Sequence, residues 1–114
     1  MHEIGLLEEM LEMVVHEAAL THSSRVHRVK LKVGRMSGAV PEALYFAFDA
    51  IKQGTILSEA SLEIEEVPVV CRCHDCGGEF QPESPIHLCP HCESLDAVLL
   101  QGDELVLESV EMSQ

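Results

Sequence analysis

Two cysteine pairs carry the most specific chemistry in the sequence. Cys73-His74-Asp75-Cys76 and Cys89-Pro90-His91-Cys92 are separated by twelve residues. Two residues between cysteines let one tight turn offer both sulfurs from one side, and a second such turn closes a tetrahedron. Zn2+ takes four thiolates in this way, with Zn–S bonds of about 2.3 Å. Four thiolates leave no open position, so the expected zinc site is structural rather than catalytic. Gly77-Gly78 follows the first pair and supplies the positive φ that such a turn can require. A pair of redox dithiols would want a βαβ setting that this chain lacks. Cys71 is the spare: a one-residue gap to Cys73 fits the turn less well, so it reads as a strand-end cysteine, packed or free. His74 and His91 sit inside the turns, as solvated residues or as reserve ligands that mild acid could bring into play.

The start of the chain offers a second, weaker constellation. The amine of Met1, the amide nitrogen of residue 2 and the imidazole of His2 can wrap one divalent ion in fused chelate rings. Three nitrogen donors in a plane suit Ni(II) or Cu(II). Taken alone, His2 reads as a solvated histidine. Glu3 could ligate, form a hydrogen bond or merely start a helix, where an acid is favoured.

Composition narrows the functions these sites can serve. The chain has 114 residues, seven Lys and Arg against 20 Asp and Glu, and a formal charge of −13. A phosphate-backbone binder needs the opposite balance. No apolar stretch approaches the roughly 20 residues of a membrane span, so membrane insertion is not expected. The N-terminus lacks the basic region and small-residue cleavage site of a secretory signal. Five cysteines without such a signal point to the reducing cytoplasm, where they bind metal more readily than they pair. Five of the cations, Arg25, Arg28, Lys30, Lys32 and Arg35, fall within eleven residues; a solvated face is the plain reading of that run.

The elements that must position the metal ligands follow from periodicity. Ile4, Leu7, Leu11, Val14 and Ala18 recur at helical spacing over residues 4–20, widened by Leu6, Met10 and Met13, with Glu8, Glu9, Glu12 and Glu17 on the wet side. Val29, Leu31 and Val33 alternate with Arg28, Lys30 and Lys32 in a half-buried strand closed by Gly34. Pro41 suits the first turn of a second helix, in which Leu44, Phe48 and Ile51 form the stripe and Gly54 follows the C-terminus. Leu62–Glu65 alternates again, Pro68 ends that run, and Leu105–Met112 is a last strand after the Gly102-Asp103 turn. A lone terminal strand has nothing to pair with, so it returns to the sheet of the first two strands. The expected fold is α+β: two helices packed on a small three-stranded sheet, with a zinc-ribbon-like module inserted between neighbouring strands. Residues 1–69 and 103–114 would form the α+β domain, and 70–102 the zinc-binding module.

Several of these features occur together and in order: Met1-His2-Glu3, Gly34-Arg35-Met36-Ser37-Gly38 before Pro41-Glu42-Ala43-Leu44, the Phe46-Ala47-Phe48 stretch, and Cys73-x-x-Cys76 with Cys89-Pro90-x-Cys92. The combination resembles the HypA/HybF family of hydrogenase nickel-incorporation proteins over the whole chain. The resemblance implies a nickel metallochaperone, not an enzyme, with Ni2+ as cargo at the amino terminus and a separate structural Zn2+. It implies His2 as the nickel ligand, aided by the Met1 amine and backbone nitrogens, and Cys73, Cys76, Cys89 and Cys92 as the zinc ligands. Implied partners are a nickel-binding GTPase of the HypB type and a hydrogenase large subunit or urease maturation proteins. Some relatives place a carboxylate where this chain has Val40, which cannot ligate; Glu42 stands two residues on. The alternative is a zinc-ribbon adaptor or regulator that contacts protein or, through the basic run, nucleic acid. No Ser/His/Asp elbow, Gly-rich phosphate loop or Walker motif supports an enzyme.

Overall fold

The computed structural model describes residues 2–84 and 86–114. Helix α1 spans His2–Leu20 and α2 spans Pro41–Ile51. Six strands follow in chain order among them: β1 Arg25–Gly34, β2 Ser61–Val67, β3 Val70–Cys73, β4 Glu79–Phe80, β5 Ala97–Gln101 and β6 Leu105–Ser113. They form two separate three-stranded sheets, β2-β1-β6 and β4-β3-β5.

The first sheet and both helices enclose the larger core. Leu7, Leu11, Val14 and Ala18 of α1 are buried, as their three- and four-residue spacing demands, because those positions share one face of a helix. Leu7, Leu11 and Val14 meet Val26, Val29, Leu31 and Val33 of β1 and Leu44 and Phe48 of α2. Met13 does not widen the buried stripe. It lies 63% exposed, since its position rotates it off the side that faces β1. Helix α2 starts at Pro41, where no helical N–H is lost, and ends at Ile51 with Lys52 as its C-cap. Gly54 stands two residues beyond the cap; its φ of +74° turns the chain toward Leu57 rather than capping the helix.

One expected feature of the topology is corrected. Strands β2 and β6 are not neighbours: β1 lies between them, parallel to β2 and antiparallel to β6. The second sheet is thus inserted between the two edge strands of the first. The cross-strand charges explain the order. Arg28 is 2.9 Å from Glu63 of β2 and 2.9 Å from Glu111 of β6, and Lys30 is 3.4 Å from Glu65 and 3.5 Å from Glu108. The bond to Glu65, with Glu108 beside it, holds the Lys30 ammonium above its ordinary value. A cationic strand is favoured between two anionic ones because directly opposed like charges are destabilising.

Two glycines make the junction between the sheets. A side chain on Gly34 at the end of β1 would collide with the Gly102 carbonyl, and one on Gly102 would stand 2.7 Å from Val69 Cα. The backbones close on each other: the Met36 N–H donates to the Gly102 carbonyl at 2.6 Å and the Arg35 N–H to Val67 at 3.0 Å. The second sheet is the framework of the zinc-ribbon-like module. Its strands hold a small cluster of Cys71, Cys73, Phe80 and Cys89, with Val69, Ala97 and Leu99 against it.

Candidate metal centre

The two cysteine pairs form hairpin knuckles with the same backbone pattern. In the first, the Gly77 N–H donates to the Cys73 carbonyl and the Cys73 N–H to Gly78, both at 2.9 Å. In the second, Glu93 donates to Cys89 and Cys89 to Ser94, again at 2.9 Å. The turn residue takes φ of +75° at Gly77 and +62° at Glu93. Only the first knuckle has the residue that adopts this region without steric cost. Gly78 serves differently from Gly77. Its φ is ordinary, and its missing side chain leaves room for His91, whose Cδ2 would be 3.0 Å from an added Cβ.

These knuckles bring four sulfurs together from residues up to 19 apart. All four Sγ atoms lie within 4.8 Å of one another. Between the knuckles, Cys73 Sγ is 3.5 Å from Cys92 Sγ and Cys76 Sγ is 3.7 Å from Cys89 Sγ. Sulfurs at the corners of a tetrahedron around Zn2+ would be about 3.8 Å apart, so the donor set fits a closed zinc site. Each knuckle gives one buried sulfur, Cys73 or Cys89, and one exposed, Cys76 or Cys92.

The surrounding dipoles favour thiolate, the form that binds metal. The Cys76 N–H, helped by the Cys92 thiol, the Asp75 N–H and the Cys76 thiol, lowers the Cys73 thiol to about 7 against the cost of burial. At Cys92 the Ser94 N–H pulls the thiol down. The Cys73 sulfur, burial and the Cys76 and Cys89 sulfurs outweigh it and push that thiol up to about 12. Cys76 also rises: the Gly78 N–H lowers it, but the Cys89 sulfur, burial and the Cys73 sulfur prevail. Crowding of this kind means that the first negative charge resists the second, and a divalent cation removes the conflict.

Side chains outside the four ligands brace the knuckles, and spacing alone does not reveal them. Ser94 Oγ donates to Asp75 Oδ2, linking one knuckle to the other, and His74 Nδ1 lies 3.2 Å from Asp96. His74 is thereby turned toward a carboxylate, and His91 lies against Gly78. Cys71 belongs to β3, is fully buried, and has its thiol pushed up by burial. Its Sγ is 3.6 Å from His87 Nδ1, so it is packed rather than free.

The residues expected to hold nickel stand differently. The Met1 amine and the His2 imidazole lie outside the described residues and side chains. Residue 2 opens α1, and Glu3 is in its first turn, where an acid meets the positive end of the helix dipole. Val40 precedes α2 and makes no side-chain cap. Glu42 follows in the first turn beside Ala43, which shares a groove with Ile4 of α1. No helix among the described residues is long and apolar enough to cross a membrane.

The chain is similar to known proteins over almost its entire length. Residues 1–112 match the family model described as hydrogenase/urease nickel incorporation, metallochaperone, HypA. The hydrogenase maturation factor HypA of Desulfitobacterium hafniense is 41% identical over 114 residues, covering all of both chains. That of Picosynechococcus is 38% identical over 112 residues, covering 98% of this chain and 99% of the other. A solution structure of a HypA protein superposes with a TM-score of 0.74 at 25% identity, over 98% of this chain and 96% of that one. The solution structure of the Ni metallochaperone HypA from Helicobacter pylori gives 0.66 over 97% of each, at an identity of 24% that speaks to the fold alone. With its full-length match and its fold in agreement, the chain belongs to the HypA family of hydrogenase and urease nickel-incorporation metallochaperones.

Proposed function

We propose that the chain carries Ni(II) on its amino-terminal nitrogens and holds Zn2+ permanently in the four-cysteine site. The observation that carries this reading is the Met1-His2-Glu3 motif inside a family match that begins at residue 1. The assignment gives each metal a distinct kind of donor. Cys73, Cys76, Cys89 and Cys92 hold zinc in a shell with no vacancy, so nickel exchange does not involve them. His2 binds nickel with the Met1 amine and the residue-2 amide nitrogen, and Glu3 is a further donor or a hydrogen-bond acceptor for the site. The first four N–H groups of a helix have no intrahelical acceptor, so a metal can take the His2 amide nitrogen without breaking the helix.

On this reading residues 1–69 and 103–114 are the nickel-binding domain and 70–102 the zinc module. The protein is a cytoplasmic carrier rather than an enzyme. Its partners are a nickel-binding GTPase of the HypB type and a hydrogenase large subunit or urease maturation proteins. Nucleic acid is a poor competitor for the basic strand, because Arg28 and Lys30 are already engaged by four glutamates.

Metal analysis of untagged protein after nickel titration tests the assignment. The expected result is one zinc that resists exchange and one nickel that leaves in mild acid, as its amine and amide nitrogens regain protons. Nickel that enters only as zinc departs would refute it.

A further inference from the structure

An apolar groove lies between the two helices. Ile4 of α1 and Ala47, Ala50 and Phe46 of α2 line a space of roughly 410 Å³. A second hollow shares Ile51 with it and is lined along α1 by Glu8, Glu12 and Val15. From Ile4 to Val15 the path is about 16 Å, or three helical turns. Phe46 stands 79% exposed beside it, while Leu44 and Phe48 of the same helix fill the core. Helix α2 therefore has two apolar faces, and burial in this chain accounts for one. An exposed aromatic beside small residues is the composition of a contact surface.

Charge decides what fits there. Helix α1 carries five glutamates and no Lys or Arg, and α2 adds Glu42 and Asp49 with no cation of its own. A second copy of the chain would bring the same acidic helices against these. An anionic lipid surface would be repelled likewise.

We propose that this groove seats a short, basic amphipathic helix of a partner protein, its apolar side on Ile4, Phe46 and Ala50 and its Lys or Arg side chains on Glu8 and Glu12. Such a helix presents anchors at i, i+3 or i+4, and i+7, which three turns accommodate. The groove opens at Ile4, two residues from His2, so a docked partner lies beside the carried nickel. That consequence rests on the proposed nickel site; the docking does not.

The probe is a fluorescein-labelled 14-residue helical peptide with leucines on one face and lysines on the other, titrated into the zinc-loaded protein. Phe46→Ser and Ala50→Glu, both at exposed positions, are each expected to weaken binding about tenfold, the loss typical of a central contact. Glu8→Gln with Glu12→Gln is expected to weaken it several-fold and flatten its salt dependence. Glu79→Gln with Glu83→Gln, the same charge change at exposed positions of the zinc module, is expected to leave it unaltered. Equal weakening by both glutamine pairs, or no effect of Phe46→Ser and Ala50→Glu, overturns the proposal. So does self-association abolished by Phe46→Ser, or binding of phosphatidylglycerol vesicles through the same residues. His2→Ala separates the two ideas: it should remove nickel binding and leave peptide affinity intact, whereas Phe46→Ser should do the reverse.

Discussion

The two sheets of this molecule are held together by different forces. The β2-β1-β6 sheet and its helices bury eleven apolar residues in one cluster. The β4-β3-β5 sheet buries four, and three of those are cysteines. Apolar burial contributes about 1.5–3 kcal/mol for each large side chain, enough to order the first unit. Phe80 alone cannot order the second. Structural zinc contributes binding free energy of about 10–16 kcal/mol in small peptides, so metal ligation takes the place of a core. A carrier benefits from this division, since its nickel donors can exchange while a separate metal fixes part of the fold.

The largest expected effect comes from breaking the zinc site. Cys76→Ala, or zinc removal by a chelator, should abolish order in residues 71–101 while α1, α2 and β1 persist, as amide NMR spectra would report. Unchanged dispersion for β3 and β5 without zinc would mean that the module is held by packing after all. The complementary change is Phe48→Ala in the larger core, which should cost about 3–5 kcal/mol. Denaturant unfolding followed by zinc analysis should show that loss with zinc still bound; concerted loss of both would merge the two units into one.

Within the zinc module the two knuckles make a finer comparison. Gly77→Ala should destabilise the first by about 1 kcal/mol, because a Cβ is strained at that positive φ. Glu93→Gly should stabilise the second by about 0.5–1 kcal/mol after the extra freedom of glycine in the unfolded chain is deducted. Rates of zinc release to a chelator read both, and equal behaviour of the two variants would end the distinction. The smallest effect belongs to the charged ladder. Arg28→Ala should cost less than about 1 kcal/mol by thermal unfolding, since both its ion pairs are solvent-exposed.

Local periodicity made much of this fold legible in the sequence. The buried positions of α1 and β1 are those of the three-four and alternating patterns, because burial of one face is what creates such patterns. Strand order was not legible from alternation, which reports the faces of a strand but not its neighbours. The usable signal was charge: Arg28 and Lys30 on β1 against Glu63, Glu65, Glu108 and Glu111 on the other two. Strand β5 was missed because Ala97–Gln101 is short and apolar on both faces, with Val98 and Leu100 exposed. The gathering of Cys73, Cys76, Cys89 and Cys92 into one cluster was legible from spacing, since a two-residue gap dictates the knuckle. The bracing of Asp75 by Ser94 and the room Gly78 leaves for His91 depend on how two knuckles face each other, which spacing does not encode.

On the proposed assignment nickel and zinc occupy separate donor sets, with nickel at the amino terminus. Isothermal calorimetry of Ni(II) binding to the zinc-loaded protein, its His2→Ala variant and a form extended by one residue before Met1 tests it most directly. An extension turns the donor amine into an amide and moves the imidazole out of the chelate ring. Stoichiometric binding is expected for the parent protein, with its loss in both variants and one zinc retained in each. Parental nickel affinity in either variant, or displacement of zinc by nickel, would contradict it.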